Sequence, residues 1–202
     1  MWKEYFKKHK KRKPREQLVR AVSFCLNKDK ALDLGAGTLI ESKFLIKKGF
    51  KNVVVIDNAP EVKTYVKNFN NKKLHFKNVS FQEYDFSKNT FDLINSQFSL
   101  HFYGEKGFRS FIKSIRSSLK PGGIFVGQFL GVKDSWNEKK KSKIPKANSV
   151  FHTKKQALSL LSGMKILEFI EEDKDGKTAL GIPKHWHVFY FIAQKIQVES
   201  EL

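Results

Sequence analysis

A single cysteine, Cys25, stands among 202 residues, so no internal disulfide can form. A chain that dispenses with disulfides fits a reducing compartment. No apolar run approaches the ~20 residues that span a membrane; the longest near the end of the chain, Val188 to Ala193, has six. The N-terminus is basic, but no apolar segment of the secretory kind follows it. The expected location is the cytoplasm, without membrane association. Hydrophobic residues make up 40% of the chain, which excludes a disordered composition. The length accommodates one domain with a sizeable core and would cramp two. No repeat or linker interrupts it, so one domain over residues 1–202 is expected, and nothing calls for an obligatory protein partner.

Negative charge is also scarce. Twenty Asp and Glu face 39 Lys and Arg, a net charge of +19. Much of the excess sits in two runs. "WKEYFKKHKKRKPR" opens an N-terminal arm and helix over residues 1–29, and "KDSWNEKKKSKIPK" lies in a Lys-rich loop over residues 131–152. Two readings stay open. The lysines are solvated products of a biased composition, or they hold nucleic-acid phosphates. Trp2, Tyr5 and Phe6 interleave with the arm's lysines. Such aromatics can stack on single-stranded RNA or form an apolar lid over a ligand. The 131–152 loop, with Trp136 in it, is a second candidate lid.

Between these basic runs, apolar strands alternate with helical patterns, the signature of an α/β chain with βαβ units. A helix is expected over 14–27, where Leu18, Val19, Val22 and Leu26 recur at helical spacing. "KALDL" (30–34) reads as a buried strand. Thr38 and Glu41 have capping-box spacing for a second helix, which stops near Gly49. "KNVVVID" (51–57) is a β-branched strand of the doubly buried kind, and Asn58 and Glu61 repeat the capping spacing around Pro60. Further strands are expected at 78–86, 91–98 and 124–130, with a helix over 104–119 broken by "KPGG". After the Lys-rich loop come a short helix from Thr153 to Leu161 and two strands, 164–172 and 185–193. The link between those strands is too short for a crossover helix, so they pair antiparallel.

The stretch "ALDLGAGTLIES" (31–42) joins a strand to a helix through Gly-x-Gly. Glycine lets the backbone turn sharply and approach a ligand, and the helix start offers free N–H groups. Asp57 ends the next strand, where a carboxylate can accept the hydroxyls of a ribose. A nicotinamide dinucleotide and S-adenosylmethionine (SAM) are both served to this point. The dinucleotide pattern, however, requires a third glycine where Ile40 stands. Asp33, two residues before Gly35, would repel a pyrophosphate and welcome a cation. The antiparallel closing strand also departs from the all-parallel dinucleotide sheet.

These features resemble the class I SAM-dependent methyltransferases. More narrowly, "PREQLVRA", "LDLGAG", "DLINSQFSLHF", "LKPGGIFVGQF", "KDSW", "FHT" and "KHWHVFYFIAQK" are similar to small bacterial tellurite-resistance-like methyltransferases. The resemblance implies a Rossmann-like fold: a seven-stranded, mostly parallel sheet with an antiparallel last strand and helices on both faces. It implies SAM as cofactor and S-adenosylhomocysteine (SAH) as product. By position, Gly35, Ala36 and Gly37 would lie under the methionine and ribose, and Asp33 would face the ammonium. Asp57, with Asn58 beside it, would hold the ribose. Asp85 and Phe86 would take the adenine edge, and Asn95 would border the methyl group. Thr38 and Leu39 depart from the small residue and arginine common in the family's loop.

Methyl transfer needs an in-line approach, a dry pocket and sometimes a base. "NSQF" (95–98) shares its ends with the Asn-Pro-Pro-aromatic motif of amino-methylating enzymes, but Ser96 and Gln97 replace the rigid prolines. A cytosine C5 mechanism needs a cysteine at the cofactor, and Cys25 lies on the first helix. The candidates for acceptor chemistry are His101 and Tyr103, after the fourth strand, and His185 and His187. The last two share a strand face and are open to a pocket, a structural or a metal-binding role; no metal is assigned. The expected function is methyl transfer to a small-molecule acceptor in a lidded pocket. The alternatives are an RNA methyltransferase using the basic arm and loop, and a SAM-binding module without transferase activity.

Overall fold

The computed structural model describes residues 4, 6–7, 12–137, 149–178 and 180–196. In chain order the elements are α1 Glu16–Ser23, β1 Lys30–Leu34, α2 Ile40–Lys47, β2 Asn52–Ile56, α3 Val62–Phe69 and β3 Leu74–Lys77. They continue with β4 Phe91–Ser96, a 3-10 turn Leu100–Tyr103, α4 Phe108–Ser118, β5 Leu119–Gly131 and β6 Phe151–His152. Helix α5 Lys154–Leu160, β7 Met164–Lys177 and β8 Pro183–Lys195 complete them. The sheet order is β3-β2-β1-β4-β5-β8-β7. The first five strands run parallel, and β8 lies antiparallel between β5 and β7. The two-residue β6 pairs parallel with the end of β5. This is the expected mostly parallel sheet with its antiparallel last strand.

Alternation along the strands builds a core on each face. Leu32, Leu34, Ile94, Phe125 and Phe129 face α4 and α5, where Phe111, Ile112 and Ile115 meet them. Val53, Val55, Leu93 and Val126 face the other way, against Leu18 and Val22 of α1 and Leu45 of α2. Both faces are therefore apolar, and central strands such as "NVVVI" carry no polar alternation.

Several boundaries differ from the sequence expectation. The third strand is Leu74–Lys77, and the segment 78–86 is loop and turn. The alternating apolar residues Val79, Phe81, Tyr84 and Phe86 pack against the core from that loop and so imitate a strand. Helix α1 is shorter than 14–27, and Leu26 is 80% exposed beyond its end. The Thr38–Glu41 capping box does not form. Leu39 occupies the cap position at φ 63°, and the Glu41 carboxylate instead takes both terminal nitrogens of Arg12 at 2.5 and 2.6 Å. Glu61 likewise makes no capping bond at α3. Among the described residues a capping box forms at α5, between Thr153 and Gln156. Of the Lys-rich loop, residues 132–137 form turns, 151–152 are strand, and 138–148 lie outside the described residues. Trp2 and Tyr5 of the arm also lie outside them.

Where β5 meets β8, Gly131 leaves room for the His187 ring: a Cβ there would stand 2.0 Å from Nδ1. Gly131→Ala is expected to destabilise the fold by about 1–3 kcal/mol through overpacking, read as a lower urea midpoint with an unchanged slope.

Candidate active site

Strand order reverses between β1 and β4: from β1 the chain crosses to β2, and from β4 it crosses to β5. Loops leaving the carboxyl ends of such strands diverge and open a crevice. A cavity of about 330 Å³ occupies it. Its floor is the loop Gly35–Thr38. One wall is Asp57–Ala59 after β2, another is Val79–Gln82 after β3, and a third is Gln97–Ser99 with Phe102 after β4. Phe6 and Arg12 border it from the N-terminal side.

The glycines are required by their surroundings. Gly35 turns at φ 72°, and a Cβ on it would stand 2.4 Å from the Ser99 Cβ. Gly37, at φ 50°, donates its N–H to Asp57 Oδ2 at 2.9 Å. The other Asp57 oxygen accepts the N–H of Ala59 at 2.9 Å. One carboxylate thereby ties two loops together. Each of its oxygens keeps a second lone pair for a ligand hydroxyl. Burial raises the Asp57 pKa, while the Ala59 and Gly37 N–H groups oppose the rise.

Asp33 is buried below this loop. It accepts the Ser42 hydroxyl at 2.5 Å and the Asn95 amide at 2.7 Å. Asp33 and Asn95 are register partners across β1 and β4, which explains the second bond. Burial, with the nearby Glu41 charge, raises Asp33 to about 7. Asn95 is fully buried and supports Asp33 and Gln97; the cavity wall at this strand end is Gln97, Phe98 and Ser99. Asn58, exposed, lines the cavity beside Asp57.

Other expected site residues stand elsewhere. Asp85 is exposed and outside the cavity lining, and Phe86 packs edge-on against Tyr84 and Phe111. With the third strand ending at Lys77, Ser80 and Phe81 take the wall position assigned to them. Tyr103 stacks on Phe111, with ring centroids 4.1 Å apart. His101 is buried against Phe102 and Trp136, and its Nε2 has no partner among the described residues. Burial, reinforced by the Lys184 charge, lowers it to about 3, so it is neutral at neutral pH. His185 is held between Asp175 and Asp173, each 2.8 Å from a ring nitrogen, and both carboxylates raise its pKa. His187 Nδ1 accepts the N–H of Lys133, leaving Nε2 to donate to Glu171 at 3.1 Å. None of these four lines the cavity, and the described residues contain no metal-binding cluster. Cys25 is raised to about 12 by burial, as suits a core thiol.

Phe6, one of the arm's candidate lid aromatics, borders the cavity, as do Arg12, Glu41, Ser80 and Phe81, which the sequence did not single out for it. Arg12 and Glu41 lie 29 positions apart and carried no signal for it.

Residues 32–127 match a protein family described as a methyltransferase domain. TehB from Haemophilus influenzae superposes with a TM-score of 0.74 at 17% identity, over 96% of this chain and 67% of that one. The 1,6-didemethyltoxoflavin-N1-methyltransferase of Burkholderia thailandensis, solved with SAH bound, superposes with a TM-score of 0.63 at 16% identity, over 90% and 79%. Residues 32–127 form a methyltransferase domain, and the fold is that of the class I SAM-dependent methyltransferases. A curated relative in sequence is the mRNA cap guanine-N(7) methyltransferase of Caenorhabditis elegans, 33% identical over 119 residues. That alignment covers 50% of this chain and spans only 31% of the worm protein.

SAM is the cofactor of this family, and the residues present fit it. The glycine loop Gly35–Gly37, the Asp57 lone pairs and the aromatic wall at Phe81 offer a backbone cradle, hydroxyl acceptors suited to a ribose, and an apolar face. Asp57→Ala is expected to weaken SAH binding by about 1–3 kcal/mol through lost charged hydrogen bonds, measured by calorimetry; an unchanged affinity removes Asp57 from the ribose site. A second expectation concerns pH. Asp33 titrates near 7 when folded and near 3.8 otherwise. Over that window the folded state binds the extra proton, so this group's contribution to stability falls as pH rises. Asp33→Asn should abolish that component, which thermal melts of both proteins from pH 4 to 8 will show as diverging slopes.

Proposed function

We propose that the protein transfers the methyl group of SAM to a small-molecule acceptor within a covered cavity in the cytoplasm. The observation that carries this reading is the cover. Phe6 is buried over the glycine loop, edge-on to Tyr65 at 6.0 Å, and its ring lies 3.2 Å from where a Gly37 Cβ would stand. Arg12 is latched to the buried Glu41. An arm held in this way narrows access to the cavity and favours an acceptor small enough to enter it. Bound SAM would supply a methyl group activated by a sulfonium. In this reading Gly35, Ala36 and Gly37 support it, Asp57 and Asn58 hold its ribose, and Ser80 and Phe81 border its base. Asp33, bonded by Asn95 and Ser42, braces the loop from below. The chain's remaining task is to align the acceptor and exclude water, and proximity supplies much of the rate in such transfers.

An RNA acceptor is the second reading. It is supported by the likeness to the cap guanine-N(7) methyltransferase over half of the chain, and by the net charge of +19. The two readings part in one experiment, incubation with methyl-labelled SAM and fractionated cell extract. The expected outcome is label in low-mass metabolites, resistant to ribonuclease. Label in RNA, with binding that weakens steeply with salt, would establish the second reading instead. SAH binding without label in any fraction would leave a binding module.

A further inference from the structure

Beside the cofactor cavity, at the carboxyl ends of β4 and β5, stand four half-buried aromatic rings: Phe98, Trp136, Trp186 and Tyr190. Phe98 also lines the cavity, so the cluster is continuous with it. Phe98 is edge-on to Trp186 at 5.8 Å and to Tyr190 at 6.2 Å, and Trp186 is edge-on to Trp136 at 5.5 Å. Half-exposed aromatic surface at the mouth of a ligand cavity points to an aromatic ligand.

Two devices hold these rings. Phe98 sits at φ 54°, a left-handed conformation that a bulky side chain avoids unless its surroundings impose it. The imposing group is the buried Gln128, whose Oε1 accepts the Phe98 N–H at 2.7 Å. Its Nε2 donates to Gln17 at 3.0 Å and also to Gln97. The second device joins "KDSW" to "KHWH". The buried Asp134 carboxylate accepts the Lys184 ammonium, the Trp136 N–H at 2.9 Å and the His187 N–H at 3.3 Å. Lys184 Nζ lies 4.2 Å from the Trp136 ring centroid and 4.3 Å from that of Trp186. A buried ion pair is a weak source of stability. This one sets two tryptophans side by side.

Among the described residues the lining of the mouth also holds no base; the neutral His101 imidazole packs against Phe102 and Trp136 and is not part of that lining. The lining there is Gln82, Gln97, Phe98, Ser99 and Phe102. The cavity's carboxylates are committed elsewhere: Asp33 to Ser42 and Asn95, Glu41 to Arg12, and Asp57 to Gly37, Ala59 and, in the reading above, the ribose. Tyr190 is raised to about 12, chiefly by burial, and points its hydroxyl at Glu172. An acceptor suited to this site has a nucleophilic lone pair and no proton to lose.

We propose that Phe98, Trp136 and Trp186 form the acceptor subsite and that it takes a planar heteroaromatic small molecule reacting through a pyridine-type ring nitrogen. The inference rests on the methyl-transfer reading above. The ring nitrogen's lone pair forms the new N–C bond as the S–C bond of the donor breaks. The bonding pair passes to sulfur, the positive charge moves to the ring, and no proton is transferred.

Quinoline is the probe, titrated by calorimetry into protein saturated with SAH, and tetrahydrothiophene is the saturated, uncharged control. Quinoline should bind, and Trp136→Leu and Trp186→Leu should each weaken it roughly tenfold, the scale of one lost stacking contact. SAH affinity should stay within about twofold on the same grounds, because neither ring lines the cofactor cavity. Tetrahydrothiophene should bind weakly and equally to all three. Phe98→Leu serves as the test variant if a tryptophan variant does not fold, as judged by thermal melting. With SAM in place of SAH, mass spectrometry should find N-methylquinolinium. SAH binding without quinoline binding, or quinoline binding indifferent to these substitutions, overturns the subsite and leaves methyl transfer standing. Quinoline binding without N-methylquinolinium overturns the nitrogen assignment. Failure to bind SAH overturns the methyl-transfer reading itself.

Discussion

The reversal of strand order between β1 and β4 is the constraint on which the rest depends. Two parallel neighbours whose connections leave in opposite directions cannot cover the gap at their carboxyl ends, and a cavity results. The polar groups around that gap are then forced into partnerships. Asp33 is buried because it lies on β1 facing α2, and it is tolerated there because Ser42 and Asn95 bond it. Asp57 is drawn into the gap by the N–H groups of Gly37 and Ala59. The cradle is thus formed by the fold before any ligand arrives, which lowers the ordering cost of binding.

The two sides of the cavity are built differently. On the cofactor side the contacts are backbone groups and carboxylates on short loops between adjacent parallel strands. On the acceptor side they are rings and amides drawn from distant parts of the chain: Gln17 from α1, Phe98 after β4, Gln128 from β5, and Trp136 and Trp186 joined through Asp134 and Lys184. Methyltransferases share a donor and differ in acceptor, and this division follows the same line. The histidines of "KHWH" belong to neither side. They pair with carboxylates of β7 and fasten the closing hairpin.

The central strands and the order of elements could be read from hydrophobic runs because parallel strands buried on both faces are apolar throughout. Asp57 was legible for a similar local reason, since it ends a strong strand 20 positions after Gly37. The third strand was not. "LHFK" is short and half-exposed, whereas Val79, Phe81, Tyr84 and Phe86 mimic its alternation from a loop. That displacement carried the base-binding expectation to Asp85 and Phe86, away from the cavity. The Thr38–Glu41 spacing misled in another way, because Arg12 offers Glu41 a charged, two-pronged partner that outweighs a backbone N–H.

By itself the sequence determined the α/β order, the glycine turn, the acid at Asp57 and the kinship with SAM-dependent methyltransferases. Each of these is written in neighbouring residues and in the period of one strand or helix. Only the tertiary structure decided which groups border the cavity, that Phe6 and Arg12 are among them, and that His101, Tyr103, His185 and His187 are not. It alone also decided that two tryptophans 50 residues apart stand side by side. Those outcomes depend on competition among partners brought together by folding, and the winner of each competition is set by burial and geometry that no local spacing records.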